Sequence, residues 1–78
     1  MKYTLYQVQL ESKDATYCFE ISTDEFDAVD LAEIWLAVNL DVYGPFHVGG
    51  YHSIGYTDTK DISYLNPLTR QREVTILT

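Results

Sequence analysis

A chain of 78 residues supports one domain, and its 46 % apolar content is normal for a folded protein and too high for a disordered one. Cys18 is the only cysteine, so an intrachain disulfide is excluded and a reducing compartment is expected. The net charge of −7 opposes direct binding to DNA, RNA or anionic membranes.

The chain enters an alternating pattern at once, without the charged and then apolar run of a secretory leader. The longest mostly apolar stretch, residues 31 to 40, contains Glu33 and Asn39 and is too short to span a bilayer. These features predict one compact cytoplasmic domain over residues 1–78.

Residues 2 to 10 are rich in Tyr, Thr, Val and Leu, as strands are. Their alternation slips: Tyr3 and Leu5 share one parity, while Tyr6, Val8 and Leu10 share the other. A β-bulge or burial on both faces would accommodate the slip. After the polar turn Glu11-Ser12-Lys13-Asp14, the residues Ala15, Tyr17, Phe19 and Ile21 alternate with Thr16, Cys18 and Glu20, which predicts a half-buried strand and a hairpin. Cys18 is out of phase with the apolar set and is expected to be exposed.

Ser22-Thr23-Asp24-Glu25 has the spacing of a capping box, so a helix is expected from there to about Val38 or Asn39. At about 100° per residue, Ala28, Leu31, Ala32, Trp35, Leu36 and Val38 gather on one side, with Trp35 central to the helix–sheet contact. Asp27, Asp30 and Glu33 gather on the other, with Phe26, Ile34 and Ala37 in or beside the acidic strip and Asp41 extending it. Asn39 and Gly44-Pro45 are stop signals.

The second half reads as strands. Phe46, Val48, Tyr51, Ile54 and Tyr56 belong to a run interrupted at Gly49-Gly50 and Gly55, which points to bulges, a turn or close backbone approach. Thr57 to Lys60 forms a turn, Ile62 and Tyr64 lie on a strand, Asn66-Pro67-Leu68-Thr69 has the pattern of a type I turn, and Arg72 to Thr78 alternates again. The predicted fold is α+β, with an antiparallel sheet of four to five strands and one helix packed on a face, in the order β-β-α-β-β.

No residue pattern here is a catalytic, metal or nucleotide signature. His47 and His52 are five apart and would point to opposite faces of a regular strand, which is poor for chelation. Ser53 is in no G-x-S-x-G elbow, and Cys18 lies between two aromatic residues on a strand. The Gly49-Gly50 pair lacks the lysine and the following helix of a phosphate loop. Carboxylates on a solvated helix face are poor acid–base catalysts at neutral pH. The expectation is a protein that is not an enzyme and takes no metal and no cofactor.

Two features suit binding. Successive carboxylates on a helix edge, about 5–6 Å apart, have a spacing broadly similar to that of duplex phosphates. The first reading is therefore an inhibitor or adaptor whose acidic face engages a basic surface on another protein. Its predicted partner-binding residues are Asp24, Asp27, Asp30, Glu33, Ile34 and Asp41. Glu20 is a further acid expected nearby.

In size, acidity and α+β layout the chain resembles small phage- or plasmid-encoded inhibitors, including anti-CRISPR proteins and other DNA mimics. The likeness is compositional and assigns no residue a role. It implies a nucleic-acid-handling protein as the partner.

The second reading uses Tyr43, Phe46, Tyr51, Tyr56 and Tyr64, which are too many for a small core, as interface anchors. A strand edge would add the option of a homodimer. A third reading is a small enzyme using His47 or His52.

Overall fold

The computed structural model describes residues 2–24, 28–66 and 69–76. Five strands and one helix follow in the order β1 (Tyr3–Glu11), β2 (Thr16–Thr23), α1 (Ala28–Leu40), β3 (His47–Thr57), β4 (Asp61–Leu65) and β5 (Arg72–Ile76). The fold is α+β, as the sequence predicts, with a fifth strand. The sheet is antiparallel throughout, in spatial order β3-β1-β2-β4-β5, and α1 lies across β1 and β2. Among the described residues no helix is long and apolar enough to cross a membrane.

The register decides which side chains the helix covers. Val8 pairs with Phe19, and Phe19 with Tyr64; Tyr6 pairs with Ile21, and Ile21 with Ile62. Directly opposed residues share a face, so these rows form the floor of the core. Ala28, Ala32, Trp35 and Leu36 of α1 close it from above. Trp35 is central, as its position on the helix predicts. Its ring stands edge-on to Phe19 (centroids 5.6 Å, 77°) and tilts against Tyr64 (4.9 Å, 41°). The indole Nε1 donates to Thr75 Oγ1 at 3.3 Å, which ties β5 to the helix.

Several expectations are corrected. The β1–β2 register runs without a break from Thr4↔Thr23 to Glu11↔Thr16, so β1 carries no bulge. Tyr3 and Leu5 are half-buried on the face away from the helix. The irregularities lie in β3, where Gly49 and Ile54 are the extra residues against β1. The glycine-marked interruptions of that strand are therefore bulges, and Gly55, beside the second, has φ +155°, a backbone conformation that suits glycine.

The helix does not begin at Ser22. Ser22 and Thr23 are fully buried at the end of β2, where Ser22 pairs with Leu5 and Asp61 and its hydroxyl accepts from Thr57 Oγ1 at 2.9 Å. Ladder bonds and burial hold Ser22 more firmly than a cap would. Glu25, the other half of the expected box, lies outside the described residues, as do Pro67 and Leu68 of the expected turn. Across that turn Asn66 Oδ1 accepts from the Thr69 amide at 3.4 Å.

At its other end the helix extends to Leu40. Asp41 takes a left-handed conformation (φ 56°), and the Val42 amide returns to the Leu36 carbonyl at 3.2 Å. Val38, expected on the packed side, is 76 % exposed, because the groups beneath the helix are those near Trp35 and Leu36 and the sheet does not reach round to it.

The face away from the helix carries polar residues between the apolar Tyr3 and Leu5 of β1 and the apolar Leu65, Val74 and Ile76 of β4 and β5. Gln7, Cys18, Glu20, His52, Ser63 and Arg72 belong to it by register. Cys18 is exposed there, as its parity predicts. Arg72 Nη1 bonds Glu20 Oε2 at 3.0 Å and also donates to Ser63 Oγ. Burial, and then the neighbouring Glu20 carboxylate, push the Asp61 carboxyl above its usual range. A raised carboxyl favours the fold in its protonated form. That contribution is complete below the unfolded-state value of about 3.9 and is lost as pH rises through the native value. Asp61→Asn is therefore expected to raise the melting temperature at pH 7 and to bring little gain at pH 3. An unchanged or lower melting temperature at pH 7 would contradict this.

Candidate functional site

Ten of the thirteen residues of α1 are apolar, although the domain buries only one side of the helix. A helix apolar all round belongs in an interior. Here Ile34 (58 % exposed) and Val38 (76 %) face solvent four residues apart, and Asp30 and Glu33 border them.

The segment after the helix supplies a second wall. Residues 41–46 fold back beside α1, through the left-handed Asp41 and a cis Gly44–Pro45 peptide, and Phe46 packs at the core's edge against Tyr17 (6.4 Å, 86°). Between the two walls lies an open groove of about 390 Å³. Its helix side is Asp30, Glu33, Ile34 and Ala37; its loop side is Val42, Tyr43, Pro45 and Phe46. A second hollow, of about 450 Å³, lies on the other side of this loop. It is lined by Lys13, Asp14 and Tyr17 together with Asp41, Tyr43 and Pro45. Tyr43, 68 % exposed, stands on the ridge between them.

The two candidate sets thus meet in one place. Asp30, Glu33 and Ile34 from the acidic set share the first groove with Tyr43 and Phe46 from the aromatic set. Other members do not join them. Asp24 is bound to Lys60 at 3.2 Å, Glu20 lies on the opposite face of the sheet bound to Arg72, and Asp27 lies outside the described residues. Asp41 is exposed beyond the helix end and lines the second hollow. Among the described residues, Asp30, Glu33 and Asp41 form no ion pair.

Tyr64 leaves the set of exposed anchors: it is 2 % exposed, wedged among Phe19, Trp35 and Tyr17. Burial foremost raises its phenol above the ordinary value, with Tyr17, Glu73 and Cys18 adding to the effect. Tyr51 stacks on Tyr6 (5.3 Å, 8°) and Tyr56 is 72 % exposed; both are on β3, away from the groove.

His47 and His52 pair with Glu11 and Gln7, which share a face of β1, so the bulge at Gly49 turns both histidines to the same side. This corrects the expectation for a regular strand. Among the described residues no three His, Cys, Asp or Glu side chains come together at a spacing that would hold a metal ion.

Ala37, Val42 and Pro45 are groove residues that the sequence reading did not single out as binding residues. The signal for Ala37 is the excess of apolar residues around the helix. Val42 and Pro45 carry none, because only the return of the loop places them. The chain matches no protein-family model, no curated protein and no solved structure.

Proposed function

We propose that the chain is a binding protein that receives a basic segment of another protein in the groove between α1 and residues 41–46, and acts as an inhibitor or adaptor. The supporting observation is the coincidence in that groove of the Asp30 and Glu33 carboxylates, which form no ion pair among the described residues, with the exposed apolar groups of Ile34 and Tyr43. Apolar anchors with a charged margin are the composition of a protein interface, in which the anchors supply affinity and the charges supply orientation and association rate. The net charge of −7 draws a cationic partner from a distance. A nucleic-acid-handling protein is the partner class that this charge and the DNA-mimic likeness suit.

The test is capture from a lysate of the native host on the immobilised chain, beside the variant Asp27→Lys/Asp30→Lys/Glu33→Lys. The wild-type chain is expected to retain a basic protein that salt releases, and the variant, equally well folded by circular dichroism, to retain none. A partner held equally by both would exclude this reading.

A further inference from the structure

We propose that β5 is a self-association edge, and that two copies of the chain pair there, antiparallel, about a two-fold axis between their Val74 residues. This surface is separate from the groove, and either assignment can fail without the other.

The two edges of the sheet differ. β3 is long but carries two bulges, and bulges twist an edge away from further pairing. β5 is regular: all five of its residues pair in order with β4, from Asp61↔Ile76 to Leu65↔Arg72. It is exposed along its whole length and has no strand on its outer side among the described residues. Its outward amides and carbonyls are therefore open to another strand. On the face away from the helix, Leu65 (45 % exposed), Val74 (55 %) and Ile76 (57 %) form an apolar row beside this edge.

Charge leaves this edge as the place where a second copy is least opposed. Residues 61–78 hold two acids, Asp61 and Glu73, and two bases, Arg70 and Arg72. The whole surplus of −7 lies in residues 1–60, with ten acids against three bases. Two copies repel one another through most of their surfaces and least through this hairpin.

Symmetry then selects the register. A two-fold axis normal to the sheet keeps paired residues on one face, so it runs midway between the two copies of one residue. Centred on Glu73 it opposes two glutamates, which is destabilising. Centred on Val74 it pairs the strand end to end: Val74 against Val74, Glu73 against Thr75, and Arg72 against Ile76. No like charges meet, and the two apolar rows join into one strip. The interface is small, so a weak dimer that forms only as concentration rises is expected.

Sedimentation velocity of the full chain tests this. The wild-type chain is expected to double in mass as concentration rises. Val74→Lys and Val74→Glu, each placing like charges on the axis, are each expected to stay monomeric, and their equimolar mixture to dimerise again. A wild-type chain monomeric up to about 1 mM, where an association is worth only about 4 kcal/mol, overturns the proposal; that result would leave the edge to a strand from another protein. Dimers that persist in both variants, or a mixture that stays monomeric, overturn it as well. Amide exchange on the wild-type chain is a readout that needs no variant. Exchange within residues 72–76 is expected to slow on concentration while that within 47–57 does not, and unchanged exchange in 72–76 contradicts the pairing.

Discussion

Trp35→Ala is expected to lower the melting temperature by roughly 15–30 °C and to leave much of the chain unfolded at 37 °C. The indole is 7 % exposed and meets Phe19 and Tyr64 at 5.6 and 4.9 Å, so its removal opens the centre of the core. Truncating a buried tryptophan costs about 3–5 kcal/mol, whereas a domain of this length has a total stability of about 4–12 kcal/mol. The bond to Thr75 is lost too, and β5 with it loses a tie to the helix. Trp35→Phe keeps most of the packing and forfeits that bond, for which about 1 kcal/mol is expected. Thermal melts followed by circular dichroism separate the two. A fall of less than about 5 °C for the alanine variant, which is little more than 1 kcal/mol, would mean that the helix is not held where the structure shows it.

The second large effect is expected in binding. Ile34→Ala and Tyr43→Ala together are expected to weaken partner affinity by about 100-fold or more, since buried anchors at an interface centre cost about 2 kcal/mol each on truncation. Both side chains are more than half exposed in the free domain, so folding is expected to be spared. The salt dependence of the remaining binding is expected to match that of the wild-type chain, because Asp30 and Glu33 are untouched. Isothermal titration at two salt concentrations reads both quantities. An affinity reduced less than threefold, about 0.7 kcal/mol, would remove the apolar half of the proposed interface and leave only the charge.

Much of the fold is legible in the sequence, because local periodicity carries it. The alternation of Tyr17, Phe19 and Ile21, the helical recurrence of Ala28, Ala32, Trp35 and Leu36, and the bulge glycines each report an environment within a few residues. Failures come where a distant partner decides. Ser22 resembles a helix cap until β4 arrives beside it with Asp61. Tyr64 resembles any other tyrosine until the register sets it against Phe19 beneath Trp35. Val38 falls on the packed side of a helical wheel, but the wheel does not show where the sheet ends.

The candidate site divides in the same way. Asp30, Glu33 and Ile34 are visible as a helix face. That Tyr43 and Phe46 lie beside them depends on the turn at Asp41, which no periodicity announces. Nor does the sequence show that Asp24 is bound to Lys60, or that Arg72 pairs with Glu20. The negative surface is narrower than the run of acids suggests. It is centred on Asp30 and Glu33, with Asp41 beyond the helix end.

Amide hydrogen exchange of the chain alone and in complex with its captured partner locates the binding surface directly. Protection is expected within residues 30–38 and 42–46, the two walls of the groove, with strands 16–23 and 47–57 unchanged. Protection confined to those strands, with the helix and loop exchanging as in the free chain, would contradict the account.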